Sequence, residues 1–305
     1  MFQRALAGWV VSLLVALCGR AEAEPALWRV SDADTDITLF GTVHVLPKTV
    51  DWRSPALDAA FDAADTLYLE APLDPQAQEE AGRALLDYGY NRRGRFLTGQ
   101  LSRPGRRALE RLVDRLGLPL QALQPLRPWH AGIVIGLTVA RRQGAVPSFG
   151  ADAALHEAAL EAGKSIAFLE TPMGQLALLA GFPQPVEQKL FEASIMSYVE
   201  TPQSFSELTE AWVAGDQATL SRIVETNFAP TPQVRRALLT ERNRDWLKVL
   251  EAQFNAPRSV FFAVGAAHFV GADGLLALLC AQGRAPVRID HGQAEPVCAG
   301  SEARP

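Results

Sequence analysis

Two of the chain's five histidines stand three residues after a glycine at the end of an apolar run. Ile37-Thr38-Leu39-Phe40 leads into Gly41-Thr42-Val43-His44, and Val260-Phe261-Phe262-Ala263-Val264 leads into Gly265-Ala266-Ala267-His268. Glycine is common, so the spacing alone says little. Its place at the end of a strand says more, because open α/β sheets hold ligands beyond the carboxyl ends of their strands. Glycine there lets the backbone turn sharply or lets a ligand come close. Two neutral imidazoles and a carboxylate form a ligand set for a divalent transition metal, with positions left for water and substrate. The plainer reading is that each histidine hydrogen-bonds a loop carbonyl.

Carboxylates recur at the same kind of place. Leu67-Tyr68-Leu69 ends on Glu70, and Phe168-Leu169 ends on Glu170. A carboxylate closing an apolar strand is costly to bury without a partner; exposed, it would be a surface cap. Glu241, Arg242, Asn243 and Arg244 form a charged run of the kind that usually faces solvent. A guanidinium aimed into a site could instead hold a substrate carboxylate or a developing oxyanion. Asp152, just after Gly150-Ala151, reads locally as a helix cap and alternatively as an active-site acid. Other patterns fail. Leu160 stands where a zinc-protease helix beginning at His156 needs its second histidine. There is no Gly-x-Ser-x-Gly elbow and no glycine-rich phosphate loop. His130, His156 and His291 lie outside any cluster and read as structural or exposed.

The elements that must position these residues follow from periodicity. The first strand (about 37–40) is followed by a helix over 54–65 and a strand over 66–70. The strand over 259–264 is followed by a helix over 273–283 and a strand over 286–290. Each is a βαβ-like unit with Gly-x-x-His at its first turn, one near each end of the chain, so the fold class is α/β with a central β-sheet and surrounding helices. A further helix over 152–163 precedes a strand over 165–170. Between the ends the chain is largely helical, near 75–90, 103–116, 127–143, 185–200, 203–214 and 233–255. Ser204 and Glu207 form a capping-box pattern.

The opening segment reads as separate from the fold. Arg4, an apolar stretch from about Ala5 to Cys18, and Ala21-Glu22-Ala23 fit a secretory signal cleaved after residue 23, leaving 24–305 as one domain. The apolar run is too short to anchor the chain in a bilayer, so the expectation is a periplasmic or secreted protein with no stable membrane anchor. Cys280 and Cys298, eighteen residues apart, then read as a disulfide. Net charge is −5, and the one basic patch, Asn91 to Arg95, reads as a solvated loop, so nucleic acid is not an expected partner.

Taken in order, "LWRV", "ITLFGTVHVLP", "AFDAADTLYLEAPL", "GADAALHEAALEAGKSIAFLETPMGQLALL", "AWVAGDQATL", "LLTERNRDWL" and "VFFAVGAAHFVGADGLLALLCAQG" resemble the TraB/PrgY/GumN family. That family is similar to the Tiki metalloproteases and, more distantly, to the erythromycin-esterase and ChaN-like proteins. The resemblance implies that His44 and His268 are paired histidines with Glu70 as their acidic partner, and that Glu170, Arg242 and Asn243 occupy the other motif positions. In the Tiki relatives such a set supports metal-dependent peptide cleavage; in the erythromycin-esterase relatives a similar set activates water without a firmly established metal.

The expectation is an exported hydrolase acting on peptides or another small substrate. His44, Glu70 and His268 would bind Mn, Co or Zn, and the metal would lower the pKa of bound water. Glu70 would serve as ligand or base, and Arg242 as an oxyanion or substrate clamp. Two readings compete with it: a non-catalytic protein capturing a peptide or haem-like ligand in the same cleft, and an accessory factor in polysaccharide export.

Overall fold

The computed structural model describes residues 23–92, 94–290 and 294–298. The expected signal segment through residue 22, and His291, lie outside the described residues.

Among the described residues there are nine strands, interspersed with helices. The strands are β1 (Leu27–Ser31), β2 (Thr35–Thr42), β3 (Leu46–Pro47), β4 (Thr66–Leu69), β5 (Ala145–Val146), β6 (Ser165–Phe168), β7 (Arg258–Gly265), β8 (Val287–Arg288) and β9 (Glu295–Pro296). The helices are α1 (Pro55–Ala63), α2 (Pro75–Tyr88), α3 (Arg103–Leu116), α4 (Leu120–Leu123), α5 (Pro128–Arg142), α6 (Ala151–Glu161) and α7 (Pro172–Ala180). They continue with α8 (Gln184–Glu200), α9 (Ser204–Val213), α10 (Gln217–Phe228), α11 (Pro232–Arg235), α12 (Glu241–Gln253) and α13 (Leu275–Ala281). The protein is α/β, as its periodicity predicts.

The main sheet has the order β6-β4-β7-β2-β1-β8-β9. Its first four strands are mutually parallel and the rest pair antiparallel. The two Gly-x-x-His strands are immediate neighbours, since β7 runs between β2 and β4, with Gly265 opposite Thr42 and Val264 opposite Gly41. The central strands are buried on both faces and therefore carry unbroken apolar runs. Phe40, Phe261 and Ala263 point to one side, against Leu57 and Phe61 of α1, Leu155 of α6 and Trp212. Ile37, Leu39, Val260, Phe262 and Val264 point to the other, against Leu250 of α12 and Leu275 and Leu279 of α13. A third apolar cluster, around Leu109, Leu112, Ile135, Phe191 and Ile195, joins α3, α5 and α8.

Three expectations need correction. The helix over 233–255 is not uniform: α11 and α12 are separated by a π-helical turn, Arg236–Thr240. Ser204 is already inside α9, whose N-cap is Gln203, so its hydroxyl is one residue too late to close a capping box; it is buried without a partner. Glu207 instead pairs with the Arg222 guanidinium. The strand predicted over 286–290 shortens to Val287–Arg288.

Cys280 and Cys298 are joined by a disulfide, with a Cα–Cα distance of 5.7 Å, tying β9 to α13. Among the described residues no helix is long and apolar enough to cross a membrane.

Candidate functional site

Four adjacent parallel strands end at one edge of the sheet, and each delivers a polar side chain there. Beyond β6 and β4 the chains stay paired, with Leu169 N–H donating to Leu69 O at 3.1 Å and Glu170 N–H to Glu70 O at 2.8 Å. This sets Glu170 beside Glu70. Beyond β7 a short 3₁₀ turn, Ala266–His268, carries His268 inward, where it is buried. Beyond β2 the chain continues to His44, whose ring is open to solvent.

From the opposite side α12 contributes Arg242, Asn243 and Trp246. Arg242 and Asn243, four and three positions before Trp246, share its helix face, while Glu241 and Arg244 fall outward. Arg242 makes five hydrogen bonds, which is the full donor capacity of a guanidinium. Its Nε donates to Glu170 Oε1 at 2.7 Å, and one terminal nitrogen donates to Glu170 Oε2 at 2.9 Å and Glu70 Oε2 at 2.6 Å. The other donates to Leu238 O at 2.9 Å and to His268 Nε2 at 3.1 Å. Leu238 belongs to the π-helical turn, a feature that recurs at functional sites.

The tautomer of His268 follows from its neighbours. Asn243 Nδ2 donates to the carbonyls of Asp273 and His268, at 2.9 and 3.2 Å, so its Oδ1 is the atom facing His268 Nδ1 at 2.6 Å. Nδ1 therefore carries the proton, and Nε2 offers its lone pair to Arg242. Trp246 packs on the ring, with centroids 4.3 Å apart, and donates its indole N–H to Glu170 at 3.1 Å.

Glu70 accepts from the Gly265 amide through Oε1 at 2.8 Å and from Gln175 through Oε2 at 3.0 Å, in addition to Arg242. His44 Nδ1 bonds Asp152 Oδ2 at 2.8 Å, and Thr42 Oγ1 donates to Asp152 Oδ1 at 2.6 Å. Asp152 is thus not the cap of α6, which is Gly150. Gly150 is required there, because a Cβ would stand 2.2 Å from the His44 carbonyl oxygen. The close approach lets the His44 loop rest on the start of α6, with Ala151 N–H donating to Val43 O at 2.9 Å.

The space above Gly265 is where these groups meet. A methyl group placed on Gly265 would lie 3.0 Å from Glu70 Oε1, 3.7 Å from His268 Cδ2 and 4.0 Å from His44 Nε2. Among the described residues His44 Nε2 has no hydrogen-bond partner. Gly41 serves packing instead: a Cβ there would lie 3.0 Å from Ala266 Cα.

The ionisable groups are driven apart. Asp152 raises the pKa of His44 well above the ordinary imidazole value, with help from Glu70 and against Arg242. Solvent on the ring's open face screens part of that pull. Burial pushes His268 down to about 3, so it is neutral, with Arg242 and His44 adding to the effect against Glu70. Burial also works against the charge on Glu70, but the adjacent imidazoles, Arg242 and the Gly265 amide overcome it and hold its pKa at about 2. Since His268 is uncharged, the lasting cations around Glu70 are Arg242 and His44.

A divalent metal does not fit this donor set as it stands. The Nε2 lone pair of His268 and Oε2 of Glu70 are both turned to the guanidinium, which leaves His44 Nε2 and the second lone pair of Glu70 Oε1 as the available ligand sites. Among the described residues, no three His, Cys, Asp or Glu side chains are gathered so as to hold an ion. Arg242, with every donor used, orders the carboxylates and His268 rather than presenting a free N–H to a ligand.

All six site residues expected from the sequence, His44, Glu70, Glu170, Arg242, Asn243 and His268, are in this cluster. Asp152 joins as partner of His44, and Thr42, Gln175 and Trp246 were not anticipated. His130 is buried elsewhere, with Nδ1 3.2 Å from Gly89 O, and His156 lies against Phe168.

Sheet and site together define an α/β protein with a cluster of charged side chains at the carboxyl ends of its parallel strands. The TraB/PrgY/gumN family model matches residues 26–288, and the chain belongs to that family. No curated protein and no solved structure matches the chain.

Proposed function

We propose that this protein is an exported hydrolase whose reaction takes place in the space above Gly265, with peptides as the first substrates to test. The observation that carries the reading is that His44 Nε2 and Glu70 Oε1 face that one space, each backed by an ionic partner. His44, protonated through its pairing with Asp152, has an N–H for a substrate carbonyl oxygen or a departing amine or alkoxide. Glu70 Oε1 accepts a hydrogen bond from a water molecule, aims it at the carbonyl carbon and takes its proton as the C–O bond forms; the bond to the amine or alkoxide then breaks as His44 Nε2 protonates it. Pairs of groups whose pKa values are pushed apart are the usual mark of divided acid and base roles. The choice of peptides rests on the resemblance of the motifs to those of Tiki-type proteases, and export rests on the signal-like N-terminal segment.

The test is turnover of a peptide and ester panel by the purified protein, with chelator and with added Mn²⁺, Co²⁺ or Zn²⁺. Hydrolysis that disappears in His44→Ala and in Glu70→Gln supports the reading. Activity that requires added metal would show that Arg242 gives way to an ion held by His44, Glu70 and His268. A protein that cleaves nothing in any arm, yet binds a peptide or haem-like ligand, is a binding protein.

A further inference from the structure

The corner between α2 and α3 differs from the rest of the surface. Among the described residues seven large apolar side chains are strongly exposed, and four of them, Leu86, Tyr88, Tyr90 and Phe96, fall within one short stretch. Leu86 is 66% exposed and Phe96 61%. Isolated exposed apolar residues need no explanation, but clustered ones mark an interaction surface.

The segment running from this corner through α3 is basic. From Leu86 to Arg115 the sequence carries eight arginines against Asp87, Glu110 and Asp114, a net of +5 in a chain whose total is −5. α3 buries Leu109, Leu112, Val113 and Leu116 and turns Arg103, Arg106, Arg107 and Arg111 to solvent. These four, with Arg92 and Arg95 in the preceding loop, have no side-chain partner among the described residues. Between α3 and α8 lies a cavity of about 190 Å³ with Ala108, Met196 and Val199 in its walls beside Arg107, Arg111 and Glu200.

We propose that this corner docks reversibly on an anionic lipid bilayer. Guanidinium forks bind phosphate oxygens in pairs, and basic clusters are drawn to anionic leaflets. Tyrosine rings favour the headgroup level, where one end is apolar and the other wet. Arginine stems lie along apolar surface while the charge stays among the headgroups. The α3–α8 cavity matches a boundary at which phosphate meets methylene. A nucleic acid or acidic polysaccharide supplies the anions, and bases can stack on the rings, but neither offers an acyl layer for the aliphatic Leu86. The surface would rest on the bilayer and not span it.

The experiment is flotation of the intact protein with vesicles of phosphatidylglycerol mixed into phosphatidylcholine, and with phosphatidylcholine alone. Binding is expected to the anionic vesicles only and to weaken with salt. R106E/R107E/R111E should lower it at least about tenfold, and L86S/F96S should lower it several-fold, with circular dichroism unchanged because all five positions are exposed. Heparin is the soluble comparison. No binding to anionic vesicles, equal binding to phosphatidylcholine, or charge-dependent binding that L86S/F96S leaves intact while heparin binds as well would each overturn the proposal.

Discussion

Gly265→Ala puts a single methyl group where the proposed reaction occurs. The backbone at this residue has φ −49° and ψ 134°, which alanine adopts without strain, so any effect comes from the space filled. The new Cβ would stand 3.0 Å from Glu70 Oε1, closer than ordinary van der Waals contact, so the carboxylate must give by a few tenths of an ångström. Overpacking costs about 1–3 kcal/mol. Relief of the glycine's unfolded-state entropy returns about 0.4–1 kcal/mol. The net change should thus stay near about 1–2 kcal/mol, a fall in Tm of about 2–8 °C. Catalysis should suffer far more, because the methyl excludes water from the contact with both Glu70 Oε1 and His44 Nε2. The methyl pushes the attacking water, rather than the carboxylate, out by about 1 Å or more, and a misplacement of about that size costs about 100-fold, the loss expected in kcat/KM. The assay pairs turnover on a substrate found in the panel with a thermal melt. A folded Gly265→Ala protein with wild-type kcat/KM would refute the placement of the reaction.

Asp152→Asn should bring the His44 pKa down toward the ordinary imidazole value, read by NMR titration of the ring. Because Asp152 raises the folded-state pKa, the pair's stabilisation is complete below the ordinary value and fades as pH rises through the raised one; the variant should lose that alkaline dependence. Glu70 runs the other way: its folded-state pKa is depressed to about 2, so its stabilisation holds above the ordinary carboxyl range and is lost as pH falls toward 2, seen as an acid-side drop in Tm that Glu70→Gln abolishes. Arg242→Gln leaves the buried Glu70 and the half-buried Glu170 without their cation and should cost about 3–5 kcal/mol in denaturant unfolding. Arg242→Lys should restore little of it, because an ammonium has three donors for five acceptors. Loss of the Cys280–Cys298 bond by Cys280→Ser/Cys298→Ser should cost about 3 kcal/mol, and alkylation without reductant should leave both wild-type cysteines unmodified.

The α/β class and the two strand-end histidines were legible because buried parallel strands leave unbroken apolar runs, as at Ile37–Phe40 and Val260–Val264. Which strands adjoin was not, since strand order is set by packing of distant helices and has no local mark. Asp152 misled because a carboxylate two residues into a helix serves equally as a first-turn charge. Its pairing with His44 depends on Gly150 admitting the His44 loop. Gln175 and Trp246 gave no signal, since an amide on an apolar helix and an aromatic at core spacing look like ordinary packing. The histidine and glutamate types suggested a metal; that a guanidinium stands between Glu70 and His268 depends on the rotation of α12, which composition does not encode.

That rotation has a bearing on how the chain can change in length. Each residue of an α-helix advances the face by about 100°. The π-helical turn at Arg236–Thr240 spends one more residue than an α-helical turn would, so it acts as a phase shifter between α11 and α12. Arg235, on one side of it, is paired with Asp273, while Arg242 and Asn243, on the other, hold His268 and its loop. Both ends are moored to the same segment following β7. A one-residue deletion within the turn would regularise the helix and swing one mooring about a quarter turn out of reach, whereas a substitution there would leave both in step. The spacing between Arg235 and Arg242 is in this sense a fixed gauge, intolerant of insertion or deletion even where its individual side chains are free to vary.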